Sequence, residues 1–204
     1  MSLFLGYFIG SFPSGYLLVK WKSRLDIRKA GTGNVGTMNV LDVTGSKPLA
    51  LAVLAIDLSK GILAAAAALL ITGYQFWYLS SAGIGAVLGH SFPVWLKFRG
   101  GRGLAASAGV MLVLGWIFVV LWLMVWILMY MVAKNIHIAN VSASILGPSV
   151  LFLLPDRFLQ SFLSSSTMIA DVRILALALC LIILIRHKDP IMVLWRLFRK
   201  TQTS

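Results

Sequence analysis

A chain of 204 residues that is 59% hydrophobic, with a mean hydropathy of +0.91, cannot be a soluble globule, because its apolar blocks are too long and too numerous for a soluble core. Its net charge of +12, with no Glu at all, would suit nucleic acid. The basic residues, however, stand in short clusters beside apolar blocks, as in loops facing anionic lipid, so nucleic acid is set aside as a partner. The single Cys180 rules out an intramolecular disulfide.

Apolar blocks run over 1–19, 48–72, 77–96, 104–133, 141–155 and 172–185, to be judged against the roughly 20 residues that cross a bilayer. The first holds Gly10, Pro13 and Gly15 and has no basic segment before it, so it reads as a transmembrane helix rather than a cleaved signal. The block 104–133 is long for one span and short for two, and 141–155 is short for any full span and suits a re-entrant piece. Six basic residues lie in 20–47 (Lys20, Lys22, Arg24, Arg28, Lys29 and Lys47), three in 97–102 and five in the tail from Arg186, whereas 73–76 has none. This bias places the N-terminus outside and the tail in the cytoplasm. Parity then allows seven spans, with 104–133 folded as two short helices, or five spans plus a re-entrant piece. Seven is favoured, because the 134–140 loop, with its Lys and His, then joins the basic face. The expected fold is an all-α polytopic bundle of about seven transmembrane helices. It forms a single domain over 1–204, with Ser164–Thr167 as a connecting loop.

Two glycine-dense basic loops separate these blocks: Gly31-Thr32-Gly33-Asn34-Val35-Gly36 and Arg99-Gly100-Gly101-Arg102-Gly103. Glycines allow peptide N–H groups to converge on an anion, and the nearby Arg residues add charge, so a phosphate is the natural guest. The first loop matches the dinucleotide pattern G-x-G-x-x-G, but no βαβ unit flanks it and that reading is rejected. Its Thr32, Asn34, Thr37 and Asn39 side chains can donate to phosphate oxygens or hold the loop. The second loop directly precedes the block at Leu104. Anchoring alone needs the Arg residues and not the glycines, whereas an anion held at a helix start uses both. Asp57 and Lys60, spaced i, i+3 within an apolar block, predict either a mutually satisfying pair or a role in orienting the site, and the two are compatible. His90 ends the third block and His187 the last, both on the face that bears the loops, which suits substrate contact or proton handling.

The run Gly10-Ser11-Phe12-Pro13-Ser14-Gly15, the first loop through Val40, Asp57-Leu58-Ser59-Lys60-Gly61, Gly89-His90-Ser91-Phe92-Pro93 through Gly103, and Arg186-His187 together resemble the bacterial acyl-phosphate-dependent glycerol-3-phosphate acyltransferase family. The resemblance covers about 190 residues in order and spacing. It implies transfer of a fatty acyl group from acyl phosphate to the 1-hydroxyl of glycerol 3-phosphate, giving lysophosphatidic acid at the cytoplasmic face of the inner cell membrane. It also implies Asn39, Arg102 and His187 as catalytic residues, with Thr32, Gly33, Asn34, Gly36, Lys60, His90, Arg99, Gly100, Gly101 and Gly103 binding substrate. Neither a cofactor nor a metal is expected. Membrane lipid and the acyl-phosphate-forming enzyme are the expected partners.

Against the family pattern, Thr32 stands for a serine, Asp42 for an arginine, Arg99 and Arg102 for lysines, and Pro190 for an asparagine, while the terminal Gly-x-Glu element is absent. The nearest counterpart of a family serine beyond Lys134 is Ser142. An acyl phosphate is already activated, so the chemistry needs two anions held side by side with the hydroxyl aimed at the carbonyl, and cations or N–H groups for the oxyanion. The leaving phosphate or His187 is the proton acceptor. Asp42, Pro190 and the missing tail element favour as alternative a divergent paralogue with an altered acceptor, or with a lipid- or phosphate-binding role and without this activity. A small-solute transporter is disfavoured, because the polar residues gather at one face rather than at midplane broken helices.

Overall fold

A computed structural model describes residues 1–164 and 167–188, and among the described residues all regular structure is helical. The α-helices are α1 (Ser2–Gly10), α2 (Ser14–Ser23), α3 (Thr37–Thr44), α4 (Lys47–Thr72), α5 (Phe76–Ser91), α6 (Leu104–Leu114), α7 (Trp116–Ala133), α8 (Ile136–Leu153), α9 (Asp156–Gln160) and α10 (Ile169–Arg186). Among the described residues, four stretches are long and apolar enough to cross a membrane: Ser2–Ser23, Lys47–Thr72, Trp116–Ala133 and Ile136–Leu153. The all-helical membrane architecture expected from composition is the one observed.

Local chemistry sets the boundaries. Pro13, which lacks an N–H, separates α1 from α2. Ser46 Oγ accepts from the Leu49 N–H at 3.4 Å to start α4, with Pro48 in its first turn, and Gly73 ends that helix. The block 104–133 divides at Gly115 into α6 and α7, the two-helix arrangement favoured from the sequence. The loop anticipated over 134–140 is much shorter than expected. Lys134 takes a left-handed turn, Asn135 Oδ1 accepts from the N–H groups of His137 (2.9 Å) and Ile138 (3.2 Å), and α8 begins at once. That cap gives the fifth apolar block the five residues it lacked for a span.

The chain divides into two compact units, one over Met1–Leu114 and one from Gly115 onward. In the first, small residues let helix backbones meet. A Cβ at Gly6 or Gly10 of α1 would overlap the backbone of Ala82 or Ala86 in α5, and one at Gly85 or Gly89 would overlap the carbonyl of Leu3 or Tyr7. α4 and α6 meet the same way through Gly61 and Gly109. A buried apolar cluster of Val19, Ile27, Val40, Val53 and Leu96 ties the first polar loop to α2, α3 and α4. In the second unit, Trp126 Nε1 of α7 donates to Asn140 Oδ1 of α8 at 2.7 Å. Arg173 of α10 donates to the carbonyls of Leu151 (3.1 Å) and Leu154 (2.9 Å) at the end of α8, and pairs with Asp156 at 2.8 Å.

Candidate functional site

The first glycine loop is held from within by one side chain. Buried Asn39, in the first turn of α3, accepts from the Thr32 N–H at 2.8 Å and donates through Nδ2 to the carbonyls of Asn34 (2.7 Å), Ala30 (3.1 Å) and Ile27 (3.4 Å). Gly31 and Gly33 adopt φ values of +58° and +71°, which L side chains rarely take, and a Cβ at Gly31 would also strike the Asn39 carboxamide. Gly33 N–H donates to the Ala30 carbonyl, Asn34 N–H to Thr32 Oγ1 and Gly36 N–H to Asn34 Oδ1. Of the two uses open to the Thr and Asn side chains, Asn34 and Asn39 hold the loop.

The peptide N–H groups of Thr32, Gly33, Asn34 and Gly36 are thus spent on the loop itself. The donors aimed outward belong to the start of α3, which Gly36 precedes and which no side chain caps. Thr32 is exposed beside it. Upstream, Arg28 grips Asp26 with Nε (2.9 Å) and Nη2 (2.8 Å), and this pairing holds the Asp26 carboxyl down at about 2. Arg28 is therefore engaged away from Asp42, which lies exposed on α3 and makes no ion pair among the described residues.

The second loop rests on the end of α5. Gly100 N–H donates to the Ser91 carbonyl at 3.2 Å and Gly101 N–H to the His90 carbonyl at 3.0 Å. Gly103, at φ +85°, leads into α6, where the Ser107 N–H closes the first turn on the Gly103 carbonyl. Two of the glycines thus secure the loop, which leads directly into the N-terminus of α6. Arg99 is exposed and Arg102 half-buried beside that helix start.

Between the loops lies a buried polar cluster. Asp57 Oδ1 accepts from Ser14 Oγ at 2.6 Å and from Lys60 Nζ at 2.6 Å, and Lys60 Nζ donates to Ser14 Oγ at 2.9 Å. His90 Nδ1 stands 3.4 Å from the same carboxylate oxygen. Gly15, next to Ser14, leaves just enough room for the Val35 carbonyl of the first loop, while Gly101 of the second faces the His90 ring. The first unit therefore gathers Thr32, Gly33, Asn34, Gly36, Asn39, Lys60, His90, Arg99, Gly100, Gly101, Arg102 and Gly103 around α2, α4 and α5. Ser14 is the member that the sequence reading left unassigned. The signal was there, since an intramembrane Asp and Lys call for further polar partners and Ser14 sits in a Gly-Ser-Phe-Pro-Ser-Gly run.

His187 belongs to the second unit. It is fully buried after the last turn of α10, with Nδ1 2.8 Å from the Ile183 carbonyl. A carbonyl only accepts, so Nδ1 is the donor in this contact. Ser142 is half-buried on α8. Pro190 and the tail beyond it lie outside the described residues.

The family model for glycerol-3-phosphate acyltransferase matches residues 1–197. This chain belongs to the glycerol-3-phosphate acyltransferase family. It is 36% identical over 196 residues to the glycerol-3-phosphate acyltransferase of Mesorhizobium japonicum, covering 94% of this chain and 89% of that one. With the enzyme of Synechococcus elongatus it shares 48% identity over 117 residues, 54% of this chain and 55% of the relative. Its fold is similar to the crystal structure of PlsY, an integral membrane glycerol 3-phosphate acyltransferase, in the glycerol 3-phosphate form. The TM-score is 0.79 at 28% identity, covering 96% of this chain and 90% of that one. The lysophosphatidic acid form of PlsY gives a TM-score of 0.76 at 26% identity. This acyltransferase-family chain is a multi-pass membrane protein, and its two glycine loops lead into α3 and α6.

Proposed function

We propose that the protein transfers a fatty acyl group from acyl phosphate to the 1-hydroxyl of glycerol 3-phosphate, releasing lysophosphatidic acid and phosphate at the cytoplasmic face of the inner membrane. The observation that carries this reading is the pairing, within one unit, of two glycine loops that each lead into the start of a helix beside basic residues. Two anionic substrates need two such seats. The start of α6, with Arg99 and Arg102, holds the acyl phosphate; the start of α3, with Thr32 and the loop that Asn39 organises, holds the acceptor's phosphate. Asn39 acts through that loop, and Lys60 and His90 support the second loop from behind.

The acceptor hydroxyl oxygen attacks the acyl carbonyl, the oxyanion collapses, and the acyl–oxygen bond to phosphate breaks. Arg102 stabilises the oxyanion and the departing charge. The hydroxyl proton passes to the leaving phosphate. With an activated donor the protein supplies mainly position and charge, which suits a site without a Ser-His-Asp triad. The N-terminus is outside, and the acyl-phosphate-forming enzyme delivers the donor at the basic face. Purified full-length protein given labelled glycerol 3-phosphate should form lysophosphatidic acid with acyl phosphate and not with the same chain as a thioester. Product from the thioester alone would overturn the choice of donor.

The exposed Asp42, without an ion pair among the described residues, favours one second reading, an acceptor that is not a phosphate. Asp42→Arg separates the two. If glycerol 3-phosphate is the acceptor, its KM falls or holds, because a repelling charge becomes a donor. Loss of native transfer by folded protein would favour the altered acceptor.

A further inference from the structure

The imidazole of His90 is engaged on two sides. Its Nδ1 lies 3.4 Å from Asp57 Oδ1, and the opposite edge occupies the space left by the missing side chain of Gly101, where a Cβ would overlap Nε2, Cε1 and Cδ2. Asp57 is itself fixed by Ser14 and Lys60, and all four side chains are buried. The backbone of the same loop is pinned to the same helix end through the carbonyls of His90 and Ser91. One ring thus stands between a fixed ion pair and the glycines of the second loop.

We propose that His90 is a positioning residue for the loop Arg99–Gly103: Asp57 orients the ring, and the ring, by filling the face of Gly101, sets the path of the loop and the aim of Arg102. A partner at one ring nitrogen fixes ring orientation, and a loop ordered in advance lowers the entropic cost of holding an anion. The part that concerns substrate rests on the acyl phosphate reading above; the part that concerns the loop stands without it.

The test uses full-length protein in lipid, with Gly101→Ala, His90→Asn and the two combined. Asparagine keeps an amide donor towards Asp57 and ends short of Gly101, so the variant retains the buried contact and opens the space. Gly101→Ala should raise the KM for acyl phosphate about tenfold or more with kcat changed less than about threefold. His90→Asn alone should raise it about threefold, and the double variant should return to within about threefold of His90→Asn rather than showing the product of both effects. Hydrogen exchange of the peptide spanning 99–103 should be faster in His90→Asn and in Asp57→Asn than in the wild type.

Multiplicative losses in the double variant, or unchanged exchange of that peptide in both single variants, would overturn the proposal. A wild-type chain that never consumes acyl phosphate, yet shows the accelerated exchange in the variants, would overturn the donor reading while supporting the positioning role.

Discussion

Lys60 Nζ lies 2.6 Å from Asp57 Oδ1 one turn along α4, and both side chains are buried where that helix is apolar enough to cross a membrane. A charge left alone there is far costlier than the pair. Asp57→Ala or Lys60→Ala should each cost about 3–5 kcal/mol of stability, while the double change to Ala and Met should cost less than either single change. Thermal unfolding in detergent measures this, and additive losses would show that the two residues do not act as a pair.

Arg102 stands beside the start of α6 at the end of the second loop. Arg102→Ala removes a charge-assisted contact worth about 1.5–3 kcal/mol, so apparent affinity for the donor should fall by roughly tenfold to a hundredfold. Arg102→Lys should be milder, since it keeps charge but not the planar fork. Initial rates at subsaturating acyl phosphate decide the matter. Full activity in the alanine variant would mean that the loop only anchors the helix.

Gly10 of α1 faces the backbone of Ala86 in α5 with no room for a methyl group. Alanine is the better helix former by about 1 kcal/mol, yet overpacking at such a contact costs about 1–3 kcal/mol. Gly10→Ala should therefore lower the melting temperature. A rise would show that propensity outweighs the packing of these two helices.

The Asp26 carboxyl, held at about 2 by its hydrogen bonds to Arg28, lies below its unfolded value of about 3.9. A depressed carboxyl contributes stability that is fully present above about pH 4 and lost as pH falls towards 2. Carboxyl NMR of the protein in detergent micelles should show the midpoint near 2 in the wild type, and Asp26→Asn should differ least from wild type at the acid end. A midpoint near 4 would mean that the pair does not form in solution.

Much of this was legible in the residues. The apolar blocks declared a helical membrane protein, Asp57 and Lys60 read as a pair, and the glycine loops stood out because anchoring needs no glycine. Less legible was how the loops spend their donors. Spacing shows that glycines occur; it does not show that Asn39 draws the Thr32 N–H inward or that Gly101 donates to the His90 carbonyl. Such contacts depend on which helix ends the packing brings together. The extension of α8 back to Ile136 was hidden for a local reason, since polar His137 and Asn140 interrupt the apolar pattern while Asn135 caps the helix before them.

This chain is proposed to move the acyl group of a mixed anhydride, acyl phosphate, to the hydroxyl of a phosphate monoester, glycerol 3-phosphate. That transfer is tested most directly by following acyl phosphate and glycerol 3-phosphate together by phosphorus NMR with purified protein in lipid. Loss of the acyl phosphate signal should be matched one for one by inorganic phosphate, with glycerol 3-phosphate converting to lysophosphatidic acid at the same rate, and nothing should change when the acceptor is withheld. Acyl phosphate consumed at equal rate without the acceptor, or an acceptor signal that never moves, would contradict the account.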